Sequence, residues 1–140
     1  MSQENVEIVR RVFDAEVRGD TETALALYDP EIEFDNSRSP VADFAGTVGR
    51  VFRGRDGVQA AFRDWYEAWK NVESELEEMI DAGGEHVVSV ITYRARGRTS
   101  GVEVEFPHMA GIWTIRNGMV ARVAWLPSRE DALEAAGLSE

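Results

Sequence analysis

An α+β fold, helices first and an antiparallel sheet after them, is predicted by three features of this 140-residue chain. Apolar residues recur at helical spacing through the N-terminal half. From Val72 onward they recur at a spacing of two. Three turn signals, Gly83-Gly84, Arg98-Thr99-Ser100-Gly101 and Asn117-Gly118, then divide the second half into the four strands of a meander.

The first helix is predicted over 3–18, where Val6, Val9, Phe13 and Val17 share a face, Ser2 is available as N-cap and Gly19 as a stop. Asp20 caps a second, short helix that buries Ala24, Leu25 and Tyr28. It ends at Asp29-Pro30, because proline disfavours a helical residue before it. Ile32 and Phe34, alternating with Glu31, Glu33 and Asp35, predict a short strand. Residues 36–55 carry Ser, Pro and Gly with no sustained period and read as a long loop of the kind that acts as a lid over a site. Asp56 caps a third helix whose heavy face is Val58, Phe62, Trp65 and Trp69, with Ala61 and Tyr66 beside them. A last helix runs from Ser128 to Ala136 and closes at Gly137.

This length suits one domain, residues 1–140, around a single core. The chain has the 44% hydrophobic content of a globule, yet no apolar run approaches the roughly 18 residues of a membrane span. No membrane is expected as a partner. Twenty-six acidic against 15 basic side chains give a formal charge of −11, which repels phosphate backbones, so nucleic acid is not expected either. The absence of cysteine rules out disulfides, thiolate metal sites and a cysteine nucleophile, and with only two histidines no metal site is expected. The first residues lack the apolar stretch of a secretory signal, which points to a cytoplasmic location.

Two-residue turns fix which residues share a face of the meander. One face then carries Leu76, Ile80, Ile91, Tyr93, Phe106, Ala110, Ile112 and Trp125, and is apolar. The other sets Arg94 between Glu73 and Glu105, and Arg96 across from Glu103, as cross-strand pairs. Further along, that charged face turns apolar with Met109, Trp113, Ile115, Val120 and Leu126. Such a patch predicts a homodimer packed sheet against sheet through Met109, Trp113, Ile115 and Val120, with Arg122 opposite Trp113.

Three polar residues stand out as candidates for chemistry. His108 falls on the apolar face opposite Ile91, either as a group facing a cavity, as a satisfied core histidine, or turned outward by a bulge at Pro107. Glu78 falls opposite Ser89 on the same face, as a buried acid with a raised pKa or as a solvated residue of an edge strand. Asp35 ends the first strand where the long loop begins; strict alternation turns Asn36 inward in its place and leaves Asp35 as a cap. Tyr28, Trp65, Trp69, Tyr93, Phe106 and Trp125 are the residues expected to shape a substrate cavity, although tryptophans at such spacing also build plain cores. Arg38, Arg50, Arg53 and Arg55, in or beside the loop, either draw an anionic substrate or offset surrounding acid.

The order of elements, with the stretches LYDPEIEFDN, GRDGVQAAFRDW, EEMIDAGGEHVV, GIWTIRNGMVARV and SREDALEAAGL, resembles the SnoaL-like branch of the nuclear transport factor 2-like superfamily. The resemblance spans nearly the whole chain. It implies a cone in which a strongly curved, mostly antiparallel sheet wraps the N-terminal helices around a deep pocket, commonly in a dimer. Relatives of this kind include ketosteroid isomerases, polyketide cyclases, epoxide hydrolases and dehydratases that work without a cofactor. Asp35 matches the position of the isomerases' general base. Many relatives carry a His-Asp pair where this chain has Asp35-Asn36, and a histidine where it has Gly111.

Two functions are compatible with these residues. In one, the protein is a cofactor-free isomerase, cyclase, dehydratase or epoxide hydrolase acting on an apolar carbonyl or epoxide compound. Asp35 is then the base, His108 the hydrogen-bond donor to the oxyanion and Glu78 the reserve acid. In the other, it binds a small apolar molecule without chemistry or serves as a dimeric accessory protein.

Overall fold

The structure, a computed structural model, describes residues 2–41 and 51–137. Helices α1 (Ser2–Val17) and α2 (Thr21–Ala26) lead into strand β1 (Tyr28–Asp35). A short β2 (Val51–Arg53) precedes helix α3 (Gly54–Ala68), followed by β3 (Trp69–Asp81), β4 (His86–Gly97), β5 (Glu103–Arg116), β6 (Met119–Leu126) and helix α4 (Arg129–Ala135). The predicted α+β order is present. The six strands form one curved sheet in the order β2-β1-β6-β5-β4-β3. All neighbours are antiparallel except β1 and β6, which run parallel.

Local chemistry accounts for the ends of the elements. Asp20 accepts from the Thr23 amide to cap α2, and Ser128 accepts from the Asp131 amide to cap α4. Asn117 and Gly118 both take positive φ, as a type I′ hairpin between β5 and β6 requires. Four boundaries differ from expectation. Asp56, expected to cap α3, lies in its first turn, because the helix already starts at Gly54 with Arg53 at the N-cap. Tyr28 begins β1 instead of ending α2, because its carbonyl is held by Arg55 Nε at 2.8 Å and its side chain is fully buried. Residues 51–53, expected in the loop, pair with Glu33–Asp35. Trp69 opens β3 instead of closing α3, yet still stacks on Trp65 with centroids 5.3 Å apart.

The larger correction concerns the faces of the sheet. Between Tyr93↔Phe106 and Ile91↔Met109, β5 holds one residue more than β4, a bulge at Pro107-His108 in which His108 adopts φ 57°. A bulge exchanges faces for everything beyond it. Up to Phe106 the expected register holds: Arg96 pairs with Glu103 at 3.0 Å, and Arg94 stands between Glu73 and Glu105 in the sheet as predicted, its guanidinium bonding Glu105 at 2.7 Å and reaching Glu75 at 3.3 Å. Past the bulge it inverts. Met109, Trp113, Ile115 and Val120, expected on an outer dimer face, are buried with α1 and β1 in the main core. Ala110 and Ile112, expected inside, lie on the outer face. Arg122 stands opposite Thr114, not Trp113, and bonds Glu33 and Asp35.

A second irregularity, between Leu76 and Glu78, moves Glu78 opposite Val90 and brings Ile80 to the outer face. The outer apolar residues of β4, β5 and β6 are covered by α4, whose Ala132 and Leu133 are buried against them.

Candidate functional site

The concave face of the sheet, α1, α3 and the segment after β1 enclose a cavity of about 620 Å³. Its walls are aromatic for a positional reason. The bulge in β5 turns Met109 and Trp113 inward, beside Ile91 and Tyr93 of β4 and Trp125 of β6. Helix α3 adds Phe62, Trp65 and Tyr66, and α1 adds Phe13. Ser39 and Val41, buried after β1, close one side; Ser39 Oγ lies 3.9 Å from the Met109 sulfur. The mouth is rimmed by Val17 and Tyr66, apolar groups left 71% and 42% exposed.

Gly111 shapes the wall from beneath. A Cβ there would come within 3.0 Å of the Trp125 ring and 3.1 Å of Trp113 Nε1. Trp113 Nε1 donates instead to the buried Ser89 hydroxyl at 2.9 Å, directly across the sheet from Gly111. The two indoles therefore occupy the space that a histidine at this position would need.

The expected site residues divide sharply. Tyr28, Trp65, Tyr93 and Trp125 line the cavity. Trp69 and Phe106 are buried in the packing around it but do not line it. The three expected acid–base residues lie outside. His108, whose left-handed backbone points its ring away from the concave face, is 74% exposed and meets Glu77 at 2.9 Å. Glu78 bonds Arg129 of α4 at 2.8 and 3.3 Å. Asp35 sits on the convex side and accepts from Arg122 Nη2 at 2.7 Å and from the Ser37 hydroxyl at 2.6 Å. Burial pulls the Asp35 carboxyl up, but the Ser37 hydrogen bonds and the Arg122 guanidinium outweigh it and hold it below the usual range. Asn36 does not line the cavity either.

The loop arginines are engaged locally. Arg53 pairs with Glu33 at 2.9 Å, and Arg38 lies 4.0 Å from Asp131. Arg50, with residues 42–50 of the loop expected over 36–55, falls outside the described residues.

Of the three described carboxyl residues that line the cavity, Glu73 and Glu75 are exposed and Glu16 is half-buried. Glu16 extends from the last turn of α1, and burial alone pushes its pKa from 4.5 up to about 7. Tyr28, Tyr66 and Tyr93 lie close enough to feel its charge, and burial followed by that charge or a neighbouring tyrosine raises each of them. Tyr28 Oη, in the cavity wall, is buried without a hydrogen-bond partner; Trp65 lies beside Tyr93, centroids 5.9 Å apart, and acts on the Tyr93 hydroxyl as a hydrogen-bond partner. A carboxyl titrating near neutrality near an unpaired donor can exchange a proton with a bound molecule while the donor holds its oxygen.

Glu16 was legible in the sequence. Val9, Val12, Phe13 and Glu16 follow the spacing of one helical face, so a carboxylate stood among residues that had to be buried. Among the described residues no group of three His, Asp or Glu converges to hold a metal.

A family model described as the SnoaL-like domain matches residues 9–123. Among curated proteins, none matches the chain in sequence. Solved structures do. A nuclear transport factor 2-like protein of unknown function from Burkholderia pseudomallei K96243 superposes with TM-score 0.75 at 22% identity, over 87% of this chain and 88% of that one. A second, from Burkholderia xenovorans LB400, gives 0.72 at 24% over 97% of each. RV0760c of Mycobacterium tuberculosis, solved with estradiol-17β-hemisuccinate, gives 0.72 at 14% over 87% and 92%. At these identities the likeness is one of fold.

Proposed function

The chain belongs to the SnoaL-like domain family, and on that premise we propose that its cavity receives a small, largely apolar molecule and that Glu16 exchanges a proton with it. The observation that carries the reading is a carboxyl with a pKa near 7 inside an aromatic chamber of about 620 Å³. A free carboxylate at pKa 4.5 is a weak base, whereas one near 7 is matched to proton transfer at neutral pH. Tyr28 brings a hydroxyl that no protein group satisfies, suited to the oxygen of a carbonyl or epoxide. The Mycobacterium relative supports the ligand class, since its fold holds a steroid ester. Asp35, Glu78 and His108 have no part in this scheme.

The test is a panel of hydrophobic ketones, epoxides and lactones, read by thermal shift and, for the ketones, by deuterium uptake at the carbon beside the carbonyl. Wild type should be stabilised and should catalyse the exchange. Glu16→Gln should still bind but lose exchange at least about a hundredfold, the scale of a general base. Binding without exchange in wild type would favour the second reading, a non-catalytic binder of apolar ligands, which needs only the cavity. A panel that stabilises neither protein sinks both.

A further inference from the structure

Glu16 enters the cavity with no cationic partner among the described residues. The polar groups facing it are the hydroxyls of Tyr28 on β1, Tyr66 on α3 and Tyr93 on β4. The rim carries Glu73 and Glu75 of β3 and Arg94 of β4, whose guanidinium is held by Glu105 at 2.7 Å and Glu75 at 3.3 Å. Arg18, just beyond α1, turns away to Asp20 at 3.4 Å. Glu16 is half-buried, and a carboxylate partly withdrawn from water without a counter-charge among the described residues is unfavourable.

Its other neighbours are ring systems. Trp65 and Tyr93 lie 5.9 Å apart at 45°, Trp113 and Trp125 6.1 Å apart at 79°, and Phe13 and Trp113 5.7 Å apart at 53°. Trp65, Tyr93, Trp113 and Trp125 all line the cavity, and an aromatic lining of this kind attracts a cation to its ring faces. We infer that the cavity takes an organic cation: an apolar molecule with a protonated or quaternary nitrogen that lies against the Trp65, Tyr93, Trp113 and Trp125 rings and pairs with the Glu16 carboxylate. The inference rests on the cavity being the small-molecule site and names the class of its ligand. A neutral guest leaves Glu16 protonated. A cation supplies the missing counter-charge and holds Glu16 ionised, and the formal charge of −11 on the chain favours its approach.

The experiment titrates the full chain with benzyltrimethylammonium and with its uncharged carbon isostere, neopentylbenzene, following tryptophan fluorescence at pH 8 and pH 5.5. At pH 8 the cation should bind at least about tenfold more tightly than the isostere. That preference should shrink at pH 5.5, where Glu16 is protonated, and at pH 8 in Glu16→Gln. The pH comparison on wild type keeps the test intact if the variant does not fold. Equal affinity for the two probes at pH 8, or a preference indifferent to both pH and substitution, overturns the inference and leaves the pocket reading in place. If neither probe binds while apolar ketones do, the inference falls alone; if nothing binds, both fall.

Discussion

Glu16 links stability to function through a single carboxyl. Its pKa is raised on folding from 4.5 to about 7, so the native state holds the proton more tightly than the unfolded chain. The stability this contributes is therefore complete below pH 4.5 and is lost as pH rises to about 7 and beyond, a change on the order of 3 kcal/mol. Asp35 has the opposite sign. Its pKa is lowered, so its contribution is present above 3.8 and lost only as pH falls through the folded value, which separates the two windows. Glu16→Gln should flatten the decline in urea-unfolding free energy between pH 5 and pH 8 and leave the acid limb unchanged; an unaltered decline would place the responsible group elsewhere. His108 holds a left-handed backbone, φ 57°, that only glycine adopts freely, while its side chain makes one exposed contact to Glu77. His108→Gly should thus raise stability by about 1 kcal/mol and leave cavity ligands bound as before. Weakened ligand binding in that variant would return His108 to the site.

At the scale of elements, β5 decides which side chains reach the cavity. The extra residue at Pro107-His108 exchanges its faces, so that Met109 and Trp113 look inward and Ala110 and Ile112 outward. Gly111 then sits under two indoles, and Gly111→Ala should force them apart at about 1–3 kcal/mol in unfolding free energy while shrinking the cavity. A variant with unchanged stability and tryptophan fluorescence would show that the indoles can move aside. The period-two pattern made the strands, their turns and the Arg96–Glu103 and Arg94–Glu105 pairs legible. It could not reveal the bulge, because both faces of β5 beyond Phe106 are apolar and either register satisfies the pattern. The same slip displaced the candidate site. Tyr93 and Trp125 lie on strands whose inward face matches expectation, and of the three alternatives open for His108 the structure shows the one in which a bulge at Pro107 turns it outward. For Glu78 the structure shows the alternative of a solvated residue on an edge strand, displaced from Ser89 by the irregularity in β3. Glu16 lies on the apolar face of α1, but in its last turn, where a carboxylate in the sequence has the same pattern as a solvated helix end.

For the whole molecule, a sheet apolar on both sides needs two separate covers. The concave side packs against α1 and α3 and keeps the ligand cavity; the convex side of β4, β5 and β6 packs under α4. The residues that suggested a sheet-to-sheet dimer are consumed by the first cover, and Val88, Val90, Ala110, Ile112, Ala124 and Leu126 by the second. Helix α4 has only seven residues and cannot be stable by itself, so its place depends on Ala132 and Leu133 being buried, aided by the Ser128 cap and the Arg129–Glu78 pair. Leu133→Ala should lower unfolding free energy by about 2–4 kcal/mol. Because the two clusters lie on opposite faces, the same variant should keep its affinity for cavity ligands at temperatures where it remains folded. Deleting residues 127–140 removes the second cover entirely and bares a contiguous apolar surface, which a soluble chain tolerates poorly. Sedimentation velocity should find the truncated protein self-associating beyond the state of the full chain at equal concentration. If it sediments as the full chain does, then α4 is not what keeps the convex face from association.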